Sequence, residues 1–469
     1  MSEQLSVPLK KSGEVSLEES LKSFLGPYLP SPGGEIEKAV KELDKLRREV
    51  VSKKPPKTTF ALDQLFKYHD QLVTLENLFP SETLIPFTWD DAFSKASVFS
   101  GKISLALSFM GYEKHCVLFN IAALQSQLGI ESSSVDTDDD RKNAAKYFQS
   151  ASGIFEYLKP SEVAGDNLTP DFHPDMLASL SAIMLAQAQE MFVTKAIRDH
   201  MKDGIIAKLC IQTEEMFADV LLKMTRDAVK YNWDRSWLQN IKGKKFAYYG
   251  LANYFQSKVC GEKKMIGEQI TRLNVAIENM KTGQDKTGSS NFHSYFMSEA
   301  KRFLAAAIKD NDFIYHEVVP TPAKLAAIPK VATAKLAKVT PVPTKFDLDF
   351  KNPFEDMKIV ETPKPTVVES EPVPVSEPNV GWNIPLIAEA TPEPVVSPVA
   401  PPRKKKSEEN GKGDATDSRS DSPATEPEPV NEPAFTKTKA VRAPTWSQVM
   451  NDSWSLIKPY FEEAVLGKK

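Results

Sequence analysis

The sequence predicts a mostly α-helical fold followed by a disordered tail, and three observations carry that prediction. Apolar residues recur three and four positions apart, the spacing of one helix face, through most of the chain as far as Lys309. The run FAYYGLANYFQSKVCGEKKMIGEQITRLNVAIENM alternates small and aromatic residues as stacked helical hairpins do, with Ala247, Tyr248, Gly250, Ala252 and Tyr254 resembling one tetratricopeptide-type unit. After about residue 358, Pro, Glu, Val, Ser and Thr displace Leu, Ala, Phe and Met, and most of the 34 prolines lie beyond Val319. A segment of that composition neither sustains helices nor offsets its chain entropy by burial.

Taken in order, Leu5 to Lys10 alternates and precedes the capping-box pattern Ser16-x-x-Glu19, which predicts a short N-terminal strand and then a first helix. Helical spacing continues over Ile36 to Val50, Thr58 to Asn77, Trp89 to Phe109, Lys114 to Leu128 and Asp140 to Leu158. Pro160, Gly165, Asn167, Pro170 and Pro174 punctuate the next connection, after which helix pairs run from Met176 to Lys309. No strict 34-residue period is present, so the pattern supports solenoid packing more than true repeats. The stretch Leu185 to Leu209, LAQAQEMFVTKAIRDHMKDGIIAKL, carries more apolar surface than one core seam needs. It reads either as a docking surface or as solenoid helices buried on both flanks.

Charge and chemistry exclude several classes. With 59 basic and 63 acidic residues the net charge is -4, which gives no overall case for nucleic acid binding. Cys116, Cys210 and Cys260 are far apart among apolar residues, as reduced thiols of a cytosolic protein would be, and none is followed six residues later by the Arg of a phosphatase loop. The six histidines lack metal-ligand spacing, and no P-loop, dinucleotide fingerprint or serine-nucleophile elbow occurs, so no metal, no cofactor and no enzyme activity are expected. The acidic run Asp136 to Asp140 lacks the Gly and Glu of an EF-hand and reads as a solvated loop. The N-terminus does not have the design of a signal peptide, and Met1-Ser2 excludes myristoylation. No apolar run approaching the roughly 18 residues of a membrane span is evident, and the final Leu466-Gly467-Lys468-Lys469 carries no prenylation box.

A set of co-linear blocks resembles the Bro1 domain of the ALIX family of endosomal-sorting scaffolds. They are SVPLKK at Ser6, KLRREVV at Lys45, FTWDDAF at Phe87, GYEKHCVLFNIAALQSQLG at Gly111, AAKYFQSASGIF at Ala144, the LAQAQE to IIAKL stretch, and DNDFIYHEVVP at Asp310. The resemblance covers residues 1–358. It implies a curved, boomerang-shaped domain with a tetratricopeptide-like middle and a final extended strap from Phe313 to Met357. It further implies a scaffold, cytoplasmic and peripherally endosomal, that receives the C-terminal amphipathic helix of an ESCRT-III subunit of the charged multivesicular body protein 4 kind. On the matching blocks the apolar contacts fall on Phe192, Ile205 and Leu209, with an acidic contact at Asp138. On an unbroken helix Phe192 and Ile205 would lie roughly 140° apart. The chain must therefore turn between them, near Asp203-Gly204. Tyr315 matches a family tyrosine linked to recognition by the SH2 domain of a Src-type kinase; the alternative is a packed strap tyrosine.

The tail divides into residues 359–443, read as a disordered Pro/Glu-rich linker, and residues 444–469. Pro398-Val399-Ala400-Pro401-Pro402-Arg403 satisfies two SH3-ligand patterns, with Arg403 orienting a polyproline helix on an acidic groove. Lys404 to Lys406 read as solubilising residues or as a weak nuclear or anionic-surface signal. Asn352-Pro353-Phe354 reads as buried in preference to an EH-domain ligand. Thr445-x-x-Gln448 caps a segment with Trp446, Val449, Met450, Trp454 and Ile457 on one face. That segment suits a weak clasp over the patch near Ile205, a peripheral membrane helix or a partner-induced helix. No V-shaped domain follows residue 358, so late-motif binding is not implied. A signalling and endocytic adaptor acting through kinase and SH3 partners is the second reading.

Overall fold

Helices dominate because almost every apolar face finds a neighbour one element away. The computed structural model describes residues 4–25, 34–52, 55–78, 85–94, 101–135, 137–159, 168–289, 293–330 and 337–355. Among them are ten α-helices: α1 Leu17–Leu25, α2 Glu35–Arg47, α3 Thr59–Leu78, α4 Met110–Ser134, α5 Asp138–Leu158, α6 Pro174–Arg198, α7 Asp203–Met224, α8 Arg235–Glu262, α9 Ile266–Thr287 and α10 Ser294–Asp310. Each of α4 to α9 packs on the next, which is the solenoid that the small-and-aromatic alternation predicts. The α8/α9 seam is one of the close approaches made by small residues. A Cβ on Gly243 would lie 2.9 Å from the Gly283 carbonyl, and one on Gly283 the same distance from the Gly243 carbonyl.

Two expectations are corrected here. Trp89 to Phe109 is not a helix: β1 Phe87–Asp90 and β2 Ser104–Leu107 form an antiparallel hairpin, with Phe87 opposite Leu107 and Trp89 opposite Leu105. Its strands are four residues each, too short for alternation to stand out, and Trp89 and Phe93 imitate a helical spacing of four. Leu5 to Lys10 is not the predicted strand: among the described residues no strand pairs with it, and Ser12 makes an isolated bridge to Trp89. Side-chain amides stand in for a partner strand. Gln187 accepts from Leu5 N at 2.6 Å and donates to Leu5 O at 3.0 Å, and Asn120 does the same for Lys10 at 2.7 and 3.0 Å. Helices α4 and α6 thereby satisfy the backbone of a buried extended segment.

Helix α6 corrects a third expectation, since it is long and apolar enough to cross a membrane by length and composition. However, 89% of that window is buried inside the protein, so its hydrophobicity is accounted for by the core.

After α10 the chain turns back as an extended strap. Lys330 pairs with Glu215 of α7 at 2.9 Å, Ala337 N donates to Gln189 of α6, Thr340 N donates to the Gln149 carbonyl of α5, and Phe346 N and Asp347 N donate to the Asp70 carboxylate of α3. Asn352 and Phe354 are buried at its end, Phe354 fully, as the reading of Asn352-Pro353-Phe354 expects. The strap passes so close to α5 that a Cβ on Gly153 would lie 1.7 Å from the Thr340 carbonyl oxygen. Gly153→Ala is therefore expected to push the strap off α5 and to lower stability by about 2 kcal/mol, in the range of overpacked cores. Thermal unfolding checks this; a melting point unchanged from wild type would contradict the close approach.

Three ion pairs are sealed in the core with both side chains inaccessible: Lys10–Asp171, Arg47–Glu113 and Lys244–Glu190. Nothing in the periodicity announces them.

Candidate helix-docking surface

The surface is built where α5 begins, α6 ends and α7 begins. The turn between Phe192 and Ile205 exists, but four residues before Gly204. His200 takes a left-handed conformation at φ 50°, Met201 N donates to the Ala196 carbonyl at 3.0 Å, and His200 N to the Ile197 carbonyl at 3.2 Å. These two bonds are the reversal that usually calls for glycine just past a helix end. Gly204 instead sits in the first turn of α7, where an added Cβ would only touch Val259 at 3.6 Å.

The predicted residues fall at different depths. Phe192 and Leu209 are each 5% exposed and belong to the core, whereas Ile205 is half-buried and packs on its edge. Asp138 does not lie in a loop: it opens α5, whose first turn is capped by Thr137 Oγ1 accepting from Asp140 N, because three successive carboxylates suit the positive end of a helix. Asp136 lies outside the described residues. Lys195 Nζ lies 3.5 Å from Asp138 and 2.7 Å from Asp199, so this chain of charges ties the start of α5 to the end of α6, one helical turn from Phe192. Asp138 is thus tied to the helix end that carries Phe192, with Ile205 beyond the turn on α7.

A groove of about 1100 Å³ opens beside Ile205 and was not foreseen. Its walls come from the α6–α7 connection, the end of α8 and the start of α10, with Lys202, Lys208, Lys258 and Lys263 among the lining residues and Tyr254, Tyr295 and Phe296 between them. Burial pushes the Tyr254 hydroxyl up to about 12. The parts are some fifty and ninety residues apart in sequence, so no local spacing joins them.

Tyr315 closes a π-helical turn, Asn311–Tyr315, and is 37% exposed beside the more open Phe313 and Ile314. The Asn311 side chain holds the turn by donating to Glu317 O at 3.0 Å and accepting from Glu317 N at 2.9 Å. Pro398, Pro401, Pro402 and Arg403, with all of 359–443 and 444–469, lie outside the described residues.

The three cysteines and His293 are shifted by burial. Burial pushes the Cys116 and Cys210 thiols well up and Cys260 up to about 11, and lowers His293 to about 4. The strongest convergence of polar groups is closed on itself: Glu113 accepts from Arg47 Nε and Tyr68 Oη at 2.9 Å each and from Trp89 Nε1 at 2.6 Å, with Arg47 and Glu113 both inaccessible. Among the described residues no group of three or more His, Cys, Asp or Glu could hold a metal ion.

Comparison with known proteins identifies this architecture. The "Programmed cell death 6-interacting protein" of Rattus norvegicus is 40% identical over 375 residues, covering 78% of this chain and 42% of the relative. The "Apoptosis-linked gene 2-interacting protein X 1" of Caenorhabditis elegans is 40% identical over 364 residues, covering 75% of this chain and 40% of the relative. The chain thus spans about two fifths of the length of these curated relatives. Among solved structures, the ALIX BRO1 CHMP4C complex matches with a TM-score of 0.70 and 41% identity, covering 76% of this chain and 99% of that one. ALIX in complex with the SIVmac239 PYKEVTEDL late domain matches with a TM-score of 0.70 and 39% identity, covering 76% of this chain and 52% of that one. With the BRO1-like domain model matched over residues 4–360, the chain belongs to the BRO1-like domain family.

Proposed function

We propose that this protein is a non-enzymatic scaffold of endosomal sorting whose Bro1 domain binds the C-terminal helix of an ESCRT-III subunit of the charged multivesicular body protein 4 type. The observation that carries the reading is the match to nearly the whole of the ALIX BRO1 domain in a solved complex with CHMP4C. Ile205 supports it as a half-buried aliphatic residue at the edge of the core, and the Asp138–Lys195–Asp199 charges at the end of α6 supply polar groups on the helix that precedes it. Phe192 and Leu209 act from within the core against whose edge Ile205 packs. The test is a titration of the full chain with a labelled C-terminal helix peptide of CHMP4C. Saturable binding is expected, and its absence at high micromolar concentration would overturn the reading.

The same reading places the protein in the cytoplasm, peripherally on endosomes, with its Pro-rich tail recruiting SH3-domain adaptors. Arg403→Ala is expected to weaken capture by an endocytic SH3 domain about tenfold, since it removes the charge that orients the polyproline ligand. A peptide titration with and without the substitution measures this, and equal dissociation constants would remove the motif from the account. A second reading, an adaptor working chiefly through Src-type kinase and SH3 partners, draws support from the exposure of Tyr315 beside the open Phe313 and Ile314.

A further inference from the structure

We propose that the groove beside Ile205 is a second, contiguous subsite that takes an acidic, aromatic-bearing extension of the same polypeptide whose helix docks at Ile205; this rests on the helix-docking reading above. Continuity is the first argument. Lys202, Ile205 and Lys208 line the groove, and Ile205 is also the half-buried apolar residue of the helix-docking surface, so the two surfaces share a residue.

Charge is the second argument. Four lysines, Lys202, Lys208, Lys258 and Lys263, face two carboxylates, Asp203 and Glu262, in a chain whose net charge is -4. Only Lys258 is matched, to Asp203 at 2.7 Å; Lys202, Lys208 and Lys263 form no ion pair among the described residues. Lys202 caps the start of α7, where the backbone dipole adds to its field, and Lys263 faces the groove from the end of α8. An acidic peptide neutralises them at once, and concave walls strengthen that attraction by focusing it.

Apolar recognition is the third argument. Tyr295, on the groove wall, is 68% exposed, and the half-buried Phe296 follows it. The two rings meet edge to face with centroids 5.2 Å apart, leaving open aromatic surface for one large side chain of the ligand. A recessed groove with aromatic walls suits a peptide, whereas a flat basic face would suit a lipid surface.

The experiment compares three labelled peptides on the full chain at about 0.1 M salt, where charge contacts up to roughly 10 Å remain effective. They are the CHMP4C C-terminal helix alone, the same helix with a Glu-Asp-Trp-Glu extension, and the same helix with a Ser-Gly-Ser-Gly extension, each placed at either end. One acidic form is expected to bind at least fivefold more tightly than its neutral counterpart. Lys202→Glu with Lys263→Glu is expected to erase that gain while leaving the affinity for the bare helix within twofold. A free Glu-Asp-Trp-Glu octapeptide repeat is expected to shift the resonances of Tyr295 and Phe296 in wild type and not in the double variant. Equal affinities for acidic and neutral forms, or a gain that survives the double substitution, would overturn the proposal. If no helix peptide binds but the free acidic peptide perturbs the groove in the charge-dependent way, the helix reading fails and the acidic subsite stands. Binding of phosphatidylserine vesicles that the double substitution abolishes, with the peptide arms flat, would assign the groove to membranes and overturn it.

Discussion

Ile205→Asp is expected to abolish binding of the ESCRT-III helix while the domain keeps its fold. The side chain is half-buried at the edge of the core, so an aspartate there reaches water in the free protein and becomes trapped only when a helix covers it. Loss of an interface anchor together with a buried charge is expected to weaken binding by more than about 2 kcal/mol, or roughly 30-fold. Leu209→Asp provides the contrast, because at 5% exposure its charge has no route to solvent and should lower the melting point before it affects recognition. Circular dichroism melts run beside the peptide titration separate the two effects. An Ile205→Asp protein that melts like wild type and binds with unchanged affinity would move the site elsewhere, and aggregation of that variant would return Ile205 to the core.

Glu113→Ala is expected to be the most destabilising of the substitutions considered, by about 3–5 kcal/mol, the range for removing one partner of a buried ion pair. The loss exceeds a simple deletion because three donors converge on this carboxylate. Arg47 is left as a buried charge without its carboxylate, and the Trp89 indole and Tyr68 hydroxyl lose their acceptor. Glu113→Gln keeps an acceptor and should lose less. Guanidinium denaturation of the three proteins measures the order directly, and a loss under about 1 kcal/mol for the alanine variant would show that the network is not the keystone its geometry suggests.

Much of the fold was legible because helical periodicity is a long-range signal within one element. Helices α3 and α5 were bounded to within a few residues, since their apolar faces repeat over many turns. The hairpin was misread because Ser104 to Leu107 gives alternation only two periods to register. Leu5 to Lys10 was read as a strand and is not one, because the groups that satisfy its backbone, Gln187 and Asn120, are side chains over a hundred residues away. The site divides in the same way. The resemblance singled out Ile205 and Phe192, and the need for a turn between them followed from helix geometry, but glycine drew attention to Gly204 when His200 makes the reversal. The basic groove was invisible because no local pattern joins Lys202, Lys263 and Tyr295.

The strap gives the domain a particular order of assembly. Asp70 meets Phe346 across 276 positions of sequence, and the Asn352 side chain reaches back 282 positions to the Asp70 carbonyl. Contacts of such high sequence separation form slowly, and during synthesis they cannot form at all until the last of the domain has left the ribosome. For most of that time the early helices wait with one flank uncovered, and the Asp70 carboxylate waits for the amide donors that will eventually cap it. The final forty residues of the domain therefore act as a clasp in time as well as in space. A nascent chain is a set of docked helix pairs, open to chaperones, until the strap arrives and makes the whole body cooperative.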